Sequence, residues 1–126
     1  MGELMTAVMN GDNLKVEEIS NPENVNDIDE NGRTPLMAAV YKNLTMTAEV
    51  LIKNGADVNA IDSEGASVLY YSAVHGNFES TFLLYESGVK MDKNDPAFVN
   101  ILATTKEMGH GHILELLVAA EAKQNG

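Results

Sequence analysis

The stretch from Asp29 to Ile61 is matched, residue type by residue type, by a second stretch from Asp62 to Asn94. Asp29, Gly32, Leu36, Leu51 and Gly55 recur 33 positions later as Asp62, Gly65, Leu69, Leu84 and Gly88. A period of this length belongs to solenoids, whose unit is one supersecondary motif too small to bury its own apolar face. Neighbouring units must therefore stack to share a core. The repetition predicts an extended array whose surface is suited to binding other molecules.

Local chemistry in the first clear copy indicates what the unit is. Asp29-Glu30-Asn31-Gly32 is turn-forming, with side chains that bond locally and a glycine that accepts a positive φ. Thr34-Pro35 then opens a helix: the hydroxyl caps an orphan amide of the first turn, and proline suits the first helical position because it has no N–H to leave unpaired. Leu36, Ala39 and Val40 follow at helical spacing, small enough for close packing against equivalents on either side. Asn43 stands where later units carry Gly76 and Gly109, so a left-handed helix terminator is expected there. Met46, Ala48, Val50 and Leu51 are expected to form the apolar side of a second helix that Asn54-Gly55 stops. Ala56 to Ala60 is expected to run extended into the next turn. The unit is helix, tight turn, helix, projecting loop.

Gly32-Arg33-Thr34-Pro35-Leu36-Met37-Ala38-Ala39, followed by Val50-Leu51-Ile52-Lys53-Asn54-Gly55-Ala56-Asp57-Val58-Asn59-Ala60, closely resembles the ankyrin repeat over most of a unit. The next copy keeps Gly65, Leu69, Ala73, Gly76-Asn77, Leu83-Leu84 and Gly88, with Ser67-Val68 in place of Thr34-Pro35. A further copy from Asp95 keeps Leu102, Gly109-His110 and Leu116-Leu117, but Phe98 replaces the turn glycine. There Asp95-Pro96 predicts a helix from about Pro96 to Met108, then a final helix from about Gly111 to Lys123. Glu121, Lys123, Gln124 and Asn125 near its end are expected to face water. Upstream, Val25-Asn26-Asp27-Ile28-Asp29 aligns with Val58-Asn59-Ala60-Ile61-Asp62. A degenerate first copy therefore precedes, with Leu4, Ala7 and Val8 on one helix and Leu14, Val16 and Ile19 on the other. The expectation is an all-α ankyrin-repeat solenoid, one domain over 1–126, with units at about 1–28, 29–61, 62–94 and 95–126. Polar end units on both sides are expected of a complete small protein.

Composition removes several classes of function. With no cysteine, neither disulfides nor thiolate metal sites are available. A net charge of −11 repels phosphate backbones, so nucleic acid is not an expected partner. Eight of the acids fall in the first 30 residues, where Lys15 is the only base; such a charge run reads first as a solvated, solubilising face and second as an end that steers a basic partner. No apolar run approaches the ~20 residues that span a bilayer, and no secretory signal is visible, so the chain as given reads as soluble and cytoplasmic. Met1-Gly2-Glu3-Leu4-Met5-Thr6 has the form of an N-myristoylation pattern, but Glu3 and the acids after it oppose an anionic membrane surface.

The resemblance implies that loops and first helices build a concave groove for a protein partner. Carried over by position, the loop residues are Glu30, Asn31 and Arg33 in the second unit and Ser63, Glu64 and Ala66 in the third. The helix positions are Tyr41 and Lys42, Val74 and His75, and Glu107 and Met108. In the fourth unit the loop positions, Pro96, Ala97 and Val99, fall where the turn glycine is missing. The residues add their own argument, because Tyr41 and Val74 are large groups just before helix stops, expected to be exposed beside Arg33 and His75 as binding anchors. Tyr70-Tyr71 stands where the family usually has a bracing His, and Tyr70 is expected to fill space between repeats.

Catalytic chemistry finds no foothold in the sequence. Gly109-His110-Gly111-His112, with His75, has the right atoms for a metal, but helical residues two apart point to different sides. There is no phosphate-binding glycine loop, nucleophile elbow or His-Glu-x-x-His pair. The expectation is a monomeric, noncatalytic protein-interaction module with no cofactor or metal. The competing expectation is a self-assembling structural protein, associating through an apolar edge of Phe98, Val99, Ile101 and Ile113 in the diverged last unit.

Overall fold

A computed structural model describes residues 2–126. Met1, with which the acylation pattern begins, lies outside them. Among the described residues there are eight helices: α1 (Glu3–Met9), α2 (Asn13–Ile19), α3 (Pro35–Tyr41), α4 (Thr45–Lys53), α5 (Val68–Ala73), α6 (Phe78–Glu86), α7 (Pro96–Glu107) and α8 (Gly111–Asn125). They form four hairpins. The first helices pack in the order α1, α3, α5, α7 and the second helices in the order α2, α4, α6, α8, giving two rows with one continuous core between them. Leu36, Leu51, Leu84 and Leu117 are fully enclosed there. Each contributes about 1.5–3 kcal/mol relative to an exposed side chain, so the apolar positions of the repeat hold the array together.

The expected caps form. Thr34 Oγ1 accepts from the Met37 amide at 3.2 Å, ahead of Pro35 at the first helical position. In the next unit Ser67 takes the same role, accepting from the Tyr70 amide at 3.1 Å, so the change from Thr-Pro to Ser-Val keeps the cap. Asp95 accepts from the Ala97 amide at 2.9 Å and Pro96 follows, which starts α7 early and makes it 12 residues long. Thr6 gives its hydroxyl to the Gly2 carbonyl, a structural use of that side chain. Asn43 is left-handed at φ 55, and its side-chain Oδ1 accepts from the Ser80 hydroxyl at 2.8 Å, tying one inter-helix turn to the next unit. The loops have their own stitches 33 residues apart: Asn26 accepts from the Asp57 amide and Asn59 from the Lys90 amide, both at 2.8 Å.

Several expectations are corrected. Leu14 and Met46 are 79% and 69% exposed, not part of the core. Each lies two positions from a buried residue, Val16 or Ala48, and two positions along a helix is nearly the opposite face. The inner place beside Ala48 goes to Thr47, whose hydroxyl donates to Asn13 Oδ1 at 2.9 Å. Ala56 to Ala60 does not run extended, because Asp57 accepts from the Asn59 amide at 2.9 Å and folds the segment into a turn. At the far end Glu121 is only 6% exposed and accepts from the Lys93 amide, while Gln124 donates to the Val89 carbonyl and Asn125 to the Met91 carbonyl. Only Glu121 departs from the expectation: Lys123, Gln124 and Asn125 are exposed to water, and Gln124 and Asn125 also pair the backbone of the 89–93 loop. Phe98, Ile101 and Ile113 are buried in the core, so of the proposed apolar edge only Val99 is exposed.

Candidate binding groove

One aspartate builds each projecting loop. Asp29 accepts from the amides of Asn31 and Arg33 at 2.8 and 2.9 Å and from Arg33 Nε at 3.2 Å. Asp62, 33 positions later, accepts from the amides of Glu64 and Ala66, both at 2.9 Å, and its other oxygen accepts from the Tyr71 hydroxyl at 2.5 Å. Partial burial opposes ionisation of both carboxyls. At Asp62 the bonds from Tyr71, Ala66 and Glu64, with the nearby Arg33 charge, outweigh it and hold the carboxyl below its ordinary value; at Asp29 the amides of Arg33 and Asn31 and the Arg33 guanidinium do the same. Tyr71 moves the other way, pushed up to about 12 by burial and by the carboxylate it bonds. The two loops then meet: the Ser63 amide donates to the Asn31 carbonyl at 3.0 Å, and Gly32 lies so close that a Cβ there would be 2.8 Å from Ser63 N.

Behind the loops sits an aromatic cluster. Tyr41 meets His75 edge to face with centroids 4.7 Å apart, and meets Tyr71 at 6.2 Å, also nearly perpendicular. His75 Nδ1 lies 3.0 Å from the Tyr71 carbonyl, and because a carbonyl oxygen can only accept, Nδ1 is the donor in this bond. Tyr41 is thereby braced from beneath while remaining 51% exposed. Tyr70 packs against Tyr71 at 6.2 Å and is partly buried against the core.

In front of this cluster is a concavity of about 1110 Å³, roofed by the loops and floored by the first helices. A thin stack of hairpins gave no reason to expect one so large. Of the residues expected to bind, Glu30, Arg33, Tyr41 and His75 line it. Asn31, Lys42, Ser63 and Glu64 are exposed but outside its lining, and Ala66 is half-buried with its amide used by Asp62. Glu107 and Met108 are exposed at the end of α7, away from the lining. Val74 is corrected outright: it is 6% exposed, whereas Tyr41 at the equivalent position is 51% exposed.

The sequence reading missed the contribution of α1. Met5 and Met9 line the groove with Glu3, and the following segment adds Asp27 and the exposed Ile28. A signal existed. The first unit is one residue shorter, so Met9 holds the place that Tyr41 holds in the second, and the register that selected Tyr41 selects Met9 too. On the outer row Phe78 and Phe82 stack at 6.4 Å, both exposed. The histidines do not converge: His75 is in the groove, whereas His110 packs beneath Gly76 in a separate concavity of about 710 Å³ that His112 also lines. The described residues hold no group of three or more His, Asp or Glu fit to take a metal. No helix among them is long and apolar enough to cross a membrane.

Helical hairpins stacked at a 33-residue period, with aspartate-built loops overhanging a concave wall, define a repeat protein that offers a preformed surface. A family model described as ankyrin repeats, in three copies, matches residues 4–95. The chain belongs to the ankyrin repeat family, a family of protein-interaction modules. It is 34% identical to inversin of Gallus gallus over 107 residues, which is 82% of this chain and 10% of that protein. It is 38% identical over 74 residues to neurogenic locus notch homolog protein 2 of Homo sapiens, covering 56% of this chain and 3% of that one. With NF-kappa-B inhibitor delta of Mus musculus it shares 37% identity over 61 residues, 48% of this chain and 19% of that protein. The chain thus spans a fifth or less of each. The human ASB11 ankyrin repeat domain superposes with a TM-score of 0.81 at 24% identity, covering 94% of this chain and 54% of that domain, a likeness of fold.

Proposed function

We propose that this chain is a noncatalytic, monomeric binding module of the cytoplasm, a single domain of four units that docks a partner protein in its concave groove. The observation that carries the reading is Tyr41: half-exposed, held by His75 and Tyr71, and standing on the groove floor. A large aromatic group braced on one side and open on the other is the form a binding anchor takes. Loops tied by Asp29, Asp62 and the Asn31–Ser63 bond are ordered before any partner arrives, so docking loses little conformational entropy. The surplus of acids favours a basic partner by long-range attraction. One relative is named as an inhibitor of NF-kappa-B, which supports a protein as the ligand.

Replacing Tyr41 or His75 by Ala tests this reading. Partner binding is expected to fall by about tenfold or more, a loss of roughly 1.4 kcal/mol or greater, with the helical spectrum and melting temperature nearly unchanged. Unfolding of these variants would mean the side chains serve packing instead.

A further inference from the structure

Resting on that groove reading, we propose that the N-terminal half of the groove receives a linear, basic segment of the partner, laying an arginine or lysine along Met9, Ile28 and Tyr41 with its charge against Asp27 and Glu30. Two chemistries meet at this spot and narrow the occupant. The surface is carbon: the exposed Met9 thioether, the exposed Ile28 side chain and the open part of the Tyr41 ring. The rim is acid. Of the four carboxylates lining the groove, Glu3 is paired with Lys15 at 3.4 Å and Asp29 with Arg33 at 3.2 Å. Asp27 and Glu30 are exposed and, among the described residues, have no ion-pair partner.

An aliphatic ligand residue would satisfy the floor and leave the rim uncompensated, and a simple cation would do the reverse. Lysine and arginine do both, because an apolar stem carries a charged end, and a guanidinium also stacks favourably on an aromatic face. An acidic segment would meet a chain of net charge −11. Double-stranded nucleic acid is excluded by the same field. The site is confined to the first two units, since the equivalent positions further along, the buried Val74 and the charged Glu107, supply no exposed apolar floor for the stem.

Selection of short random peptides displayed on phage against the intact chain tests the inference. Enriched peptides are expected to carry arginine or lysine beside an apolar residue. Their binding should weaken about tenfold with Tyr41→Ala and with Glu30→Lys or Asp27→Lys, fall as salt rises, and be unchanged by Phe82→Ala on the outer row. Circular dichroism and melting temperature confirm that each variant folds. Peptides without net positive charge that still require Tyr41 would overturn the basic-segment inference while leaving the groove reading in place. Peptides indifferent to Tyr41→Ala, or no enrichment at all, would count against both.

Discussion

The hydroxyls of Ser72 and Thr81 lie 3.0 Å apart in the core between α5 and α6, and each also reaches a backbone carbonyl, Leu69 for one and Asn77 for the other. One unit earlier the same two positions are Ala39 and Ala48; one unit later they are Thr105 and Leu114. The pair is therefore polar in one unit, apolar in another and divided in the last. Thr105 is fully buried with a hydroxyl that nothing among the described residues bonds. Thr105→Val, which removes the orphan group at nearly constant shape, is expected to stabilise the protein by about 1–3 kcal/mol. A denaturant titration with unchanged slope and a higher midpoint is the expected result; a lower midpoint would mean the hydroxyl has a partner after all.

Gly32 and Gly65 open equivalent loops with similar positive φ, 74 and 84, yet only Gly32 lies against the next loop. Gly65→Ala incurs the left-handed cost alone, about 1–2 kcal/mol. Gly32→Ala incurs that cost and also drives a methyl group to 2.8 Å from Ser63 N, disturbing the bond to the Asn31 carbonyl. Thermal melts of the two variants are expected to separate clearly, with Gly32→Ala the lower. Equal loss would show that the loops do not touch.

The Tyr71–Asp62 bond makes two statements about pH. Asp62 has a folded value below its ordinary 3.8, so its contribution to stability is complete above that value and drains away as pH falls through the lowered one. Tyr71 is raised from 10.0 to about 12, so its contribution holds below pH 10.0 and is lost as pH rises toward 12. Tyr71→Phe should delete a tyrosinate absorbance step near pH 12 and soften the acid decline of stability. Loss of a step near pH 10.0 in place of one near 12 would show that this hydroxyl is not bonded to the carboxylate.

At the other end, Gln124 accepts from the Met91 amide at 3.1 Å and donates to the Val89 carbonyl at 2.7 Å. Gln124→Ala leaves both groups to whatever water can reach them and is expected to cost about 1–2 kcal/mol, with faster amide exchange confined to the 89–93 loop. Exchange that quickens throughout the chain equally would instead place Gln124 in the global core.

What the sequence made legible follows the repeat. Caps at Thr34 and Ser67, the left-handed Asn43 and the early start at Pro96 are local chemistry, readable from neighbouring residues. Helix phase was harder: Met46 and Leu14 look like core by type, and only the burial of Thr47 beside Ala48 shows which side of α4 turns inward. Contacts at a full repeat's distance were not readable at all. The reach of Gln124 to the 89–93 loop depends on stacking that no local pattern encodes, and so does the shelter given to Val74. In the groove, Tyr41 was found because its register marked it. Met9 was missed because the shortened first unit shifts that register by one.

The account rests on the groove, and position-specific photo-crosslinking tests it most directly. A photoreactive side chain replaces Tyr41 in one sample and Leu14, exposed on the outer row, in another, and each is irradiated with the bound partner. Adducts from position 41 and none from position 14 are the result predicted here; adducts from position 14 with none from 41 would contradict it.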